Sequence, residues 1–178
     1  VGNAETAELK GVEAEGKVLL GEHVTADFAI SYADLTYDEY TSGLCYPGRA
    51  PDNAATGACD LSGEHPVNAP EWTTHLGLMY ETDVSWGDVY ARADWSWTDE
   101  SNTSYAADPR LTQDAYSWLN FRVGTHWENY ELVAWVDNAL DEEVVNVDAT
   151  LNLFSNDKSY HSFRQPPRSY GLTVRAQF

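Results

Sequence analysis

Tyr170-Gly171-Leu172-Thr173-Val174-Arg175-Ala176-Gln177-Phe178 ends the chain, and its alternation decides the fold. In an extended backbone Tyr170, Leu172, Val174, Ala176 and Phe178 fall on one face, while Gly171, Thr173, Arg175 and Gln177 fall on the other. A strand with one wholly apolar and one wholly polar face, and long enough for a tilted bilayer crossing of about 9–11 residues, is the signature of a transmembrane barrel strand.

Working outward, the same division recurs. In Ser117–His126, Leu119, Phe121 and Val123 alternate with Asn120, Arg122 and Gly124. In Val89–Trp97, Val89, Ala91, Ala93, Trp95 and Trp97 alternate with Tyr90, Arg92, Asp94 and Ser96. Val24–Tyr32 sets Val24, Ala26, Phe28, Ile30 and Tyr32 against Thr25, Asp27, Ala29 and Ser31. Less regular strands are expected over Leu9–Leu20, Thr74–Glu81 and Tyr130–Asp137, which makes seven in all. The fold class read here is all-β: part of an antiparallel up-and-down transmembrane β-barrel.

The connections alternate strictly in length. Short ones lie at Gly21–His23, Asp83–Asp88 and Trp127–Asn129; long polar ones run Ala33–Trp72, Thr98–Tyr116 and Asn138–Arg168. Outer-membrane barrels pair short periplasmic turns with long extracellular loops. The last strand descends from a long connection, so Phe178 is expected at the periplasmic rim.

Composition agrees. Of 178 residues, 29 are Asp or Glu against 10 Lys or Arg, a net charge of -19, which makes nucleic acid a poor partner. Much of the acid sits in the long connections, as at Asp34, Asp52, Asp60, Glu64, Glu71, Asp99, Glu100 and Asp141. A solvated loop surface is the first reading of it, with divalent cations shared with lipopolysaccharide as the second. Tyr and Trp, 11 and 7 against 5 Phe, favour a boundary between apolar and wet surroundings. Tyr32, Tyr80, Trp95, Trp97 and Trp118 are accordingly expected in membrane girdles. No run of about 18 apolar residues forms a membrane helix, which says nothing against barrel strands.

Cys45 and Cys59 lie in one Gly/Pro/Asn-rich stretch, so a loop disulfide is expected, with two free thiols as the alternative. His23, His65, His75, His126 and His161 show neither paired metal-ligand spacing nor an acid in catalytic register, and no nucleophile elbow, phosphate loop or dinucleotide fingerprint is present. No cofactor, metal or enzymatic activity is expected.

Four segments carry a family resemblance. Leu9-Lys10-Gly11-Val12-Glu13-Ala14-Glu15 resembles a "KGVELE" strand; Asp60-Leu61-Ser62-Gly63 followed by Asn68-Ala69-Pro70-Glu71-Trp72 resembles "LSG…NAPEW". Val136-Asp137-Asn138-Ala139-Leu140-Asp141 resembles "V-x-NLFD", with Ala139-Leu140 in place of Leu-Phe and no aromatic after Glu143. Gln165-Pro166-Pro167-Arg168-Ser169-Tyr170-Gly171 resembles the closing "PPRxYG" strand. In this order the chain resembles the barrel domain of TonB-dependent receptors of Gram-negative bacteria.

That resemblance implies a barrel of about 22 strands filled by an N-terminal plug. The present chain would be its C-terminal portion, residues 1–178 lacking the plug and earlier strands. It further implies an outer-membrane site, lipid and lipopolysaccharide around the wall, energy from the TonB complex, and import of a ferric siderophore, cobalamin or oligosaccharide. Glu13, Glu15, Asp27, Arg92, Asp94, Arg122 and Arg175 would face the lumen and plug, or pair with neighbouring strands. Tyr170 and Phe178 would serve as the signal read by the barrel-assembly machinery, or as girdle residues. Loop aromatics Tyr37, Tyr40, Tyr46, Tyr105 and Tyr160 could stack on a small-molecule ligand or pack within folded loops. The competing expectation is a secreted aromatic-rich β-sandwich that grips carbohydrate.

Overall fold

A computed structural model describes residues 6–150 and 160–177. Seven long strands form one antiparallel sheet: β1 (Thr6–Leu19), β2 (Val24–Glu39), β3 (Trp72–Val84), β4 (Gly87–Thr98), β7 (Tyr116–Trp127), β8 (Tyr130–Asp137) and β11 (Ser169–Ala176). They are neighbours in chain order, an up-and-down arrangement in which the first strand, β1, and the last, β11, do not pair to close the sheet. The long connections add two ribbons that alternation does not announce: β5 (Ser101–Asn102) with β6 (Thr112–Gln113), and β9 (Val145–Thr150) with β10 (Tyr160–Arg164).

Register carries one apolar face across the whole sheet, because directly paired residues in an antiparallel ladder share a face. Ala26 pairs with Leu78, Leu78 with Ala93, Ala93 with Phe121, and Phe121 with Val136, which in turn pairs with Tyr170. No described residue covers that face: Leu78 is 49% exposed, Val123 58% and Leu172 74%. A sandwich would press it against a second sheet, so the secreted β-sandwich reading fails on the sheet itself.

The buried residues lie elsewhere. Cys59, Leu61, Thr103, Asp108, Asn138 and Val144 are all but fully enclosed, and every one belongs to a long connection. The membrane-type wall is a single layer with two faces, and the loops hold the packed interior.

Strands β1 and β2 rise further than the alternation of Val24–Tyr32 implies. Above Tyr32 the apolar positions change parity, to Ala33, Leu35 and Tyr37, and in β1 the same change separates Ala7 and Leu9 from Val12, Ala14 and Val18. Below the change apolar side chains face outward. Above it they turn inward, where Leu35 and Tyr37 meet the chain between Leu61 and His65 through Tyr37 N to Glu64 O (3.0 Å) and His65 Nδ1 to Leu35 O (3.0 Å). An element that leaves hydrocarbon for water reverses the side on which apolar groups are sheltered. The tops of these two strands are therefore strand, where a loop from Ala33 was expected.

The short connections sit at the opposite end. Gly21 (φ 98°) turns β1 into β2, Ser85-Trp86 alone links β3 to β4, and Glu128 (φ 51°) turns β7 into β8. On the outward face Trp127 stacks on Tyr130 (5.6 Å) beside the last turn, and Tyr32 packs on Trp72 (4.8 Å) at the long-connection end.

Leu78→Arg places a charge in the middle of the outward face and is expected to destabilise the sheet by about 2–4 kcal/mol in phospholipid vesicles. Met79→Gln, one residue along on the inner face, is expected to change stability by less than about 0.5 kcal/mol. Equal losses in denaturant titrations would show that the two faces are not differently solvated.

Candidate lumen wall and outer loops

The inner face is wired across strands. Arg92 on β4 reaches over β3 to Asp27 on β2 (Nη1 to Oδ1, 3.1 Å) while holding Asp94 (Nη2 to Oδ1, 2.6 Å). His75 adds its Nε2 at 3.2 Å from Asp27 Oδ2 and 3.8 Å from Asp94 Oδ1. This span is open only because position 77 is glycine: a Cβ there would fall 2.6 Å from Arg92 Nη2 and against the Asp27 carboxylate.

Nearer the short turns a second network crosses β4, β7, β8 and β11. Glu131 accepts from Arg175 Nη1 (2.6 Å) and from the Tyr90 hydroxyl (3.2 Å), with His126 Nε2 at 3.4 Å. His126 Nδ1 also pairs with Asp88 (2.8 Å), and its ring stacks on Tyr90 at 5.5 Å. Glycine again makes the space: the Tyr90 ring covers Gly124, and Trp135 covers Gly171 while donating Nε1–H to Thr173 Oγ1 (3.2 Å). Gly77→Ala and Gly124→Ala should each cost about 1–3 kcal/mol by forcing these side chains off the wall. Wild-type denaturation midpoints for both would refute that role.

Asp27, Arg92, Asp94, Arg122 and Arg175 share this face, and Glu13 and Glu15 stand on it at the β1 edge, opposite Ser31 and Ala29. Tyr32, Tyr80, Trp95 and Trp97 stand on the apolar face. Trp118 does not: it pairs with Ser96, two residues from Asn120, and so points with Arg122 to the inner side. Its place near a strand end suggested a girdle on the apolar face, but period two assigns it inward. Trp72, Trp127 and Tyr130 are the apolar-face aromatics that sequence reading passed over. Tyr170 is on the apolar face; Phe178 lies outside the described residues. The two histidine networks were also missed, since their partners lie 48 and 38 positions away.

The outer loops are interlocked. Cys45 and Cys59 form a disulfide (Cα–Cα 5.2 Å), and Gly43 and Cys59 exchange two backbone hydrogen bonds over Leu61. Arg49 donates to Asp52 Oδ2 (2.9 Å) and to the Asp60 carbonyl (2.7 Å). Arg110, paired with buried Asp108 (2.7 Å), lies over the Tyr46 ring (5.5 Å) and donates to Pro47 O (3.1 Å), which ties the β4–β7 connection to the disulfide loop. Val145 N donating to Gln113 Oε1 (2.7 Å) ties in the third. A cleft of about 310 Å³ remains between the first two, edged by Glu64, His65, Glu71, Asp99, Glu100 and Asn102. Among the described residues no three acids, histidines or cysteines converge to hold a metal ion.

Asn138 is the clasp of the third loop. Fully buried with φ 52°, it donates Nδ2–H to Glu142 O (2.9 Å), accepts at Oδ1 from Glu142 N (2.9 Å) and donates its own backbone N–H to Asn120 Oδ1 (2.9 Å). Asp141 then takes the Arg168 amide (3.0 Å) and guanidinium (3.4 Å). The Asn-x-x-Asp and Pro-Pro-Arg segments, 27 residues apart, hold each other, and the hand-over from β8 to β11 depends on both.

Asp52 is held below the usual carboxylate range first by the Asp60 amide (2.9 Å) and then by Arg49; the hydroxyl and amide of Ser62 do the same for Asp60. A depressed folded value gives stability that is present above the unfolded value, about 3.9, and lost as pH falls through the folded one. Protection factors of the Asp60 and Ser62 amides, corrected for the intrinsic pH dependence of exchange, should therefore be high at neutral pH and fall below about pH 4. Reducing the 14-residue bridge should cost the loop about 3 kcal/mol on a loop-closure basis. Constant protection factors at those two amides from about pH 7 to about pH 3 would remove these carboxylates from the account.

A one-layer antiparallel sheet with an apolar outer face, a charged inner face, tight turns at one end and packed loops at the other is a section of an outer-membrane-type barrel wall. A family model described as TonB dependent receptor-like, beta-barrel, matches residues 1–139, and the chain belongs to that family. Relatives in this family are outer-membrane barrels of Gram-negative bacteria that act as transport receptors. The fold is similar to that of the ferric yersiniabactin uptake receptor FyuA from Yersinia pestis, with TM-score 0.70, 16% identity, and 97% of this chain and 24% of that one covered. It is also similar to the siderophore receptor PiuA from Acinetobacter baumannii, with TM-score 0.62, 14% identity, and 94% and 21% covered. The chain thus spans a quarter or less of either solved receptor. No curated protein matches it.

Proposed function

We propose that this chain is the C-terminal wall of an outer-membrane receptor that imports a scarce, iron-chelating small molecule of the siderophore class, with energy relayed through TonB. The observation that carries the reading is the two-faced sheet within the family match: its apolar surface suits lipid, and its ion-paired surface suits a hydrated, filled lumen. One solved receptor of similar fold is described as a ferric yersiniabactin uptake receptor and another as a siderophore receptor, which favours iron chelates over cobalamin and oligosaccharides. The remaining strands and the plug belong to the portion of the receptor outside this chain, and TonB acts through that plug. Lipid and lipopolysaccharide surround the wall, and the barrel-assembly machinery places it there through the closing strand that includes Tyr170.

Deleting the whole gene in the source bacterium should abolish growth on one ferric siderophore as sole iron source under iron limitation, with growth on ferrous iron intact. The complete gene should restore growth, and a version lacking the TonB-contacting segment should not. Undiminished growth on every ferric siderophore tried, with sugar or cobalamin uptake lost instead, would refute the ligand class.

A further inference from the structure

Three arginines stand on the inner face, and two are neutralised within the wall: Arg92 by Asp27 and Asp94, and Arg175 by Glu131. Arg122 is different. Exposed at the middle of β7, it has neither ion pair nor hydrogen-bond acceptor among the described residues. Its ladder neighbours are Arg92, a second cation, and Trp135. Beside it opens a recess of about 300 Å³ edged by Tyr90, Trp135, Asp137, Thr173 and Arg175. Because Tyr90 lies over Gly124 and Trp135 over Gly171, both rings lie along the wall and leave the guanidinium standing clear. Asp137 shares the recess without pairing to it.

A guanidinium stays charged at all relevant pH, and its planar fork fits an oxyanion with two parallel hydrogen bonds. Left without a counter-charge in the interior of a filled barrel it would be costly. Among the described residues Arg122 pairs with no carboxylate of the wall beside it: Arg92 on β4 and Trp135 on β8 stand directly opposite, and Asp137 at the upper end of β8 makes no ion pair with it. Strands on the far side of a lumen of about 22 strands are out of reach, and such lumens are filled by a plug. The geometry points to Arg122 as the wall-side anchor for a carboxylate carried by the plug domain, received in the recess between Tyr90 and Trp135. This assignment rests on the receptor reading above.

The test uses the full-length receptor in detergent and reads hydrogen–deuterium exchange in the plug, with the heat-modifiable gel shift confirming a folded barrel. Arg122→Glu should accelerate exchange of one plug segment about tenfold, and changing a single Asp or Glu in that segment to Arg should restore protection. Arg122→Gln, which removes the charge without reversing it, should show a smaller acceleration at the same segment and serves wherever the glutamate variant fails to fold. Unchanged plug exchange in both variants overturns the assignment. Plug protection that rises with added inorganic phosphate in the wild type, and ignores every plug substitution, assigns the recess to a free oxyanion and overturns it too. A full-length sequence with no plug domain overturns the receptor reading itself, before any exchange is measured.

Discussion

A backbone amide that crosses hydrocarbon finds no water, so every N–H and C=O in the crossing must be paired with the next strand. That one constraint shapes the rest of the wall. It fixes a single-layer sheet in which neighbours in sequence are neighbours in space, and it leaves the side chains of each strand to divide between two solvents by period two. The continuous ladder meets the requirement for β2, β3, β4, β7 and β8 and for one edge each of β1 and β11, and the apolar outer face follows from it without any packed core beneath.

Because the wall has no second layer, its inner face is stabilised by contacts that run sideways. Long side chains lie across neighbouring strands, and glycines open the lanes they occupy, as Gly77 does for Arg92 and Asp27 and Gly124 does for Tyr90. Half-exposed ion pairs of this kind add little each. Their joint effect is geometric, since they flatten the charged face and hold it in one arrangement beneath whatever fills the lumen.

Outside the membrane the physics reverses, and so does the chain. Apolar residues change parity at Tyr32 and Lys10, and the connections gather Leu61, Val144 and the half-cystine Cys59 into small interiors. Loops this long would ordinarily be mobile. Here a disulfide braces the first connection and the Asn138-Asp141-Arg168 clasp the third, while the Arg110 bridge to Pro47 and the Val145 to Gln113 hydrogen bond join all three.

The sequence by itself determined the fold class, the number of long strands, the alternation of short and long connections, the two faces, and the family, because period-two patterning and local motifs are written in neighbouring residues. It misplaced Trp118, where an aromatic near a strand end was read without its parity, and it ended β2 at Tyr32, where the apolar parity changes although the strand continues. Only the tertiary structure decided which charges meet. Asp27 finds Arg92 across 65 positions, His126 finds Asp88 across 38, and Arg122 forms no ion pair among the described residues. Those outcomes depend on register and on what a glycine leaves empty two strands away, and no local pattern encodes either.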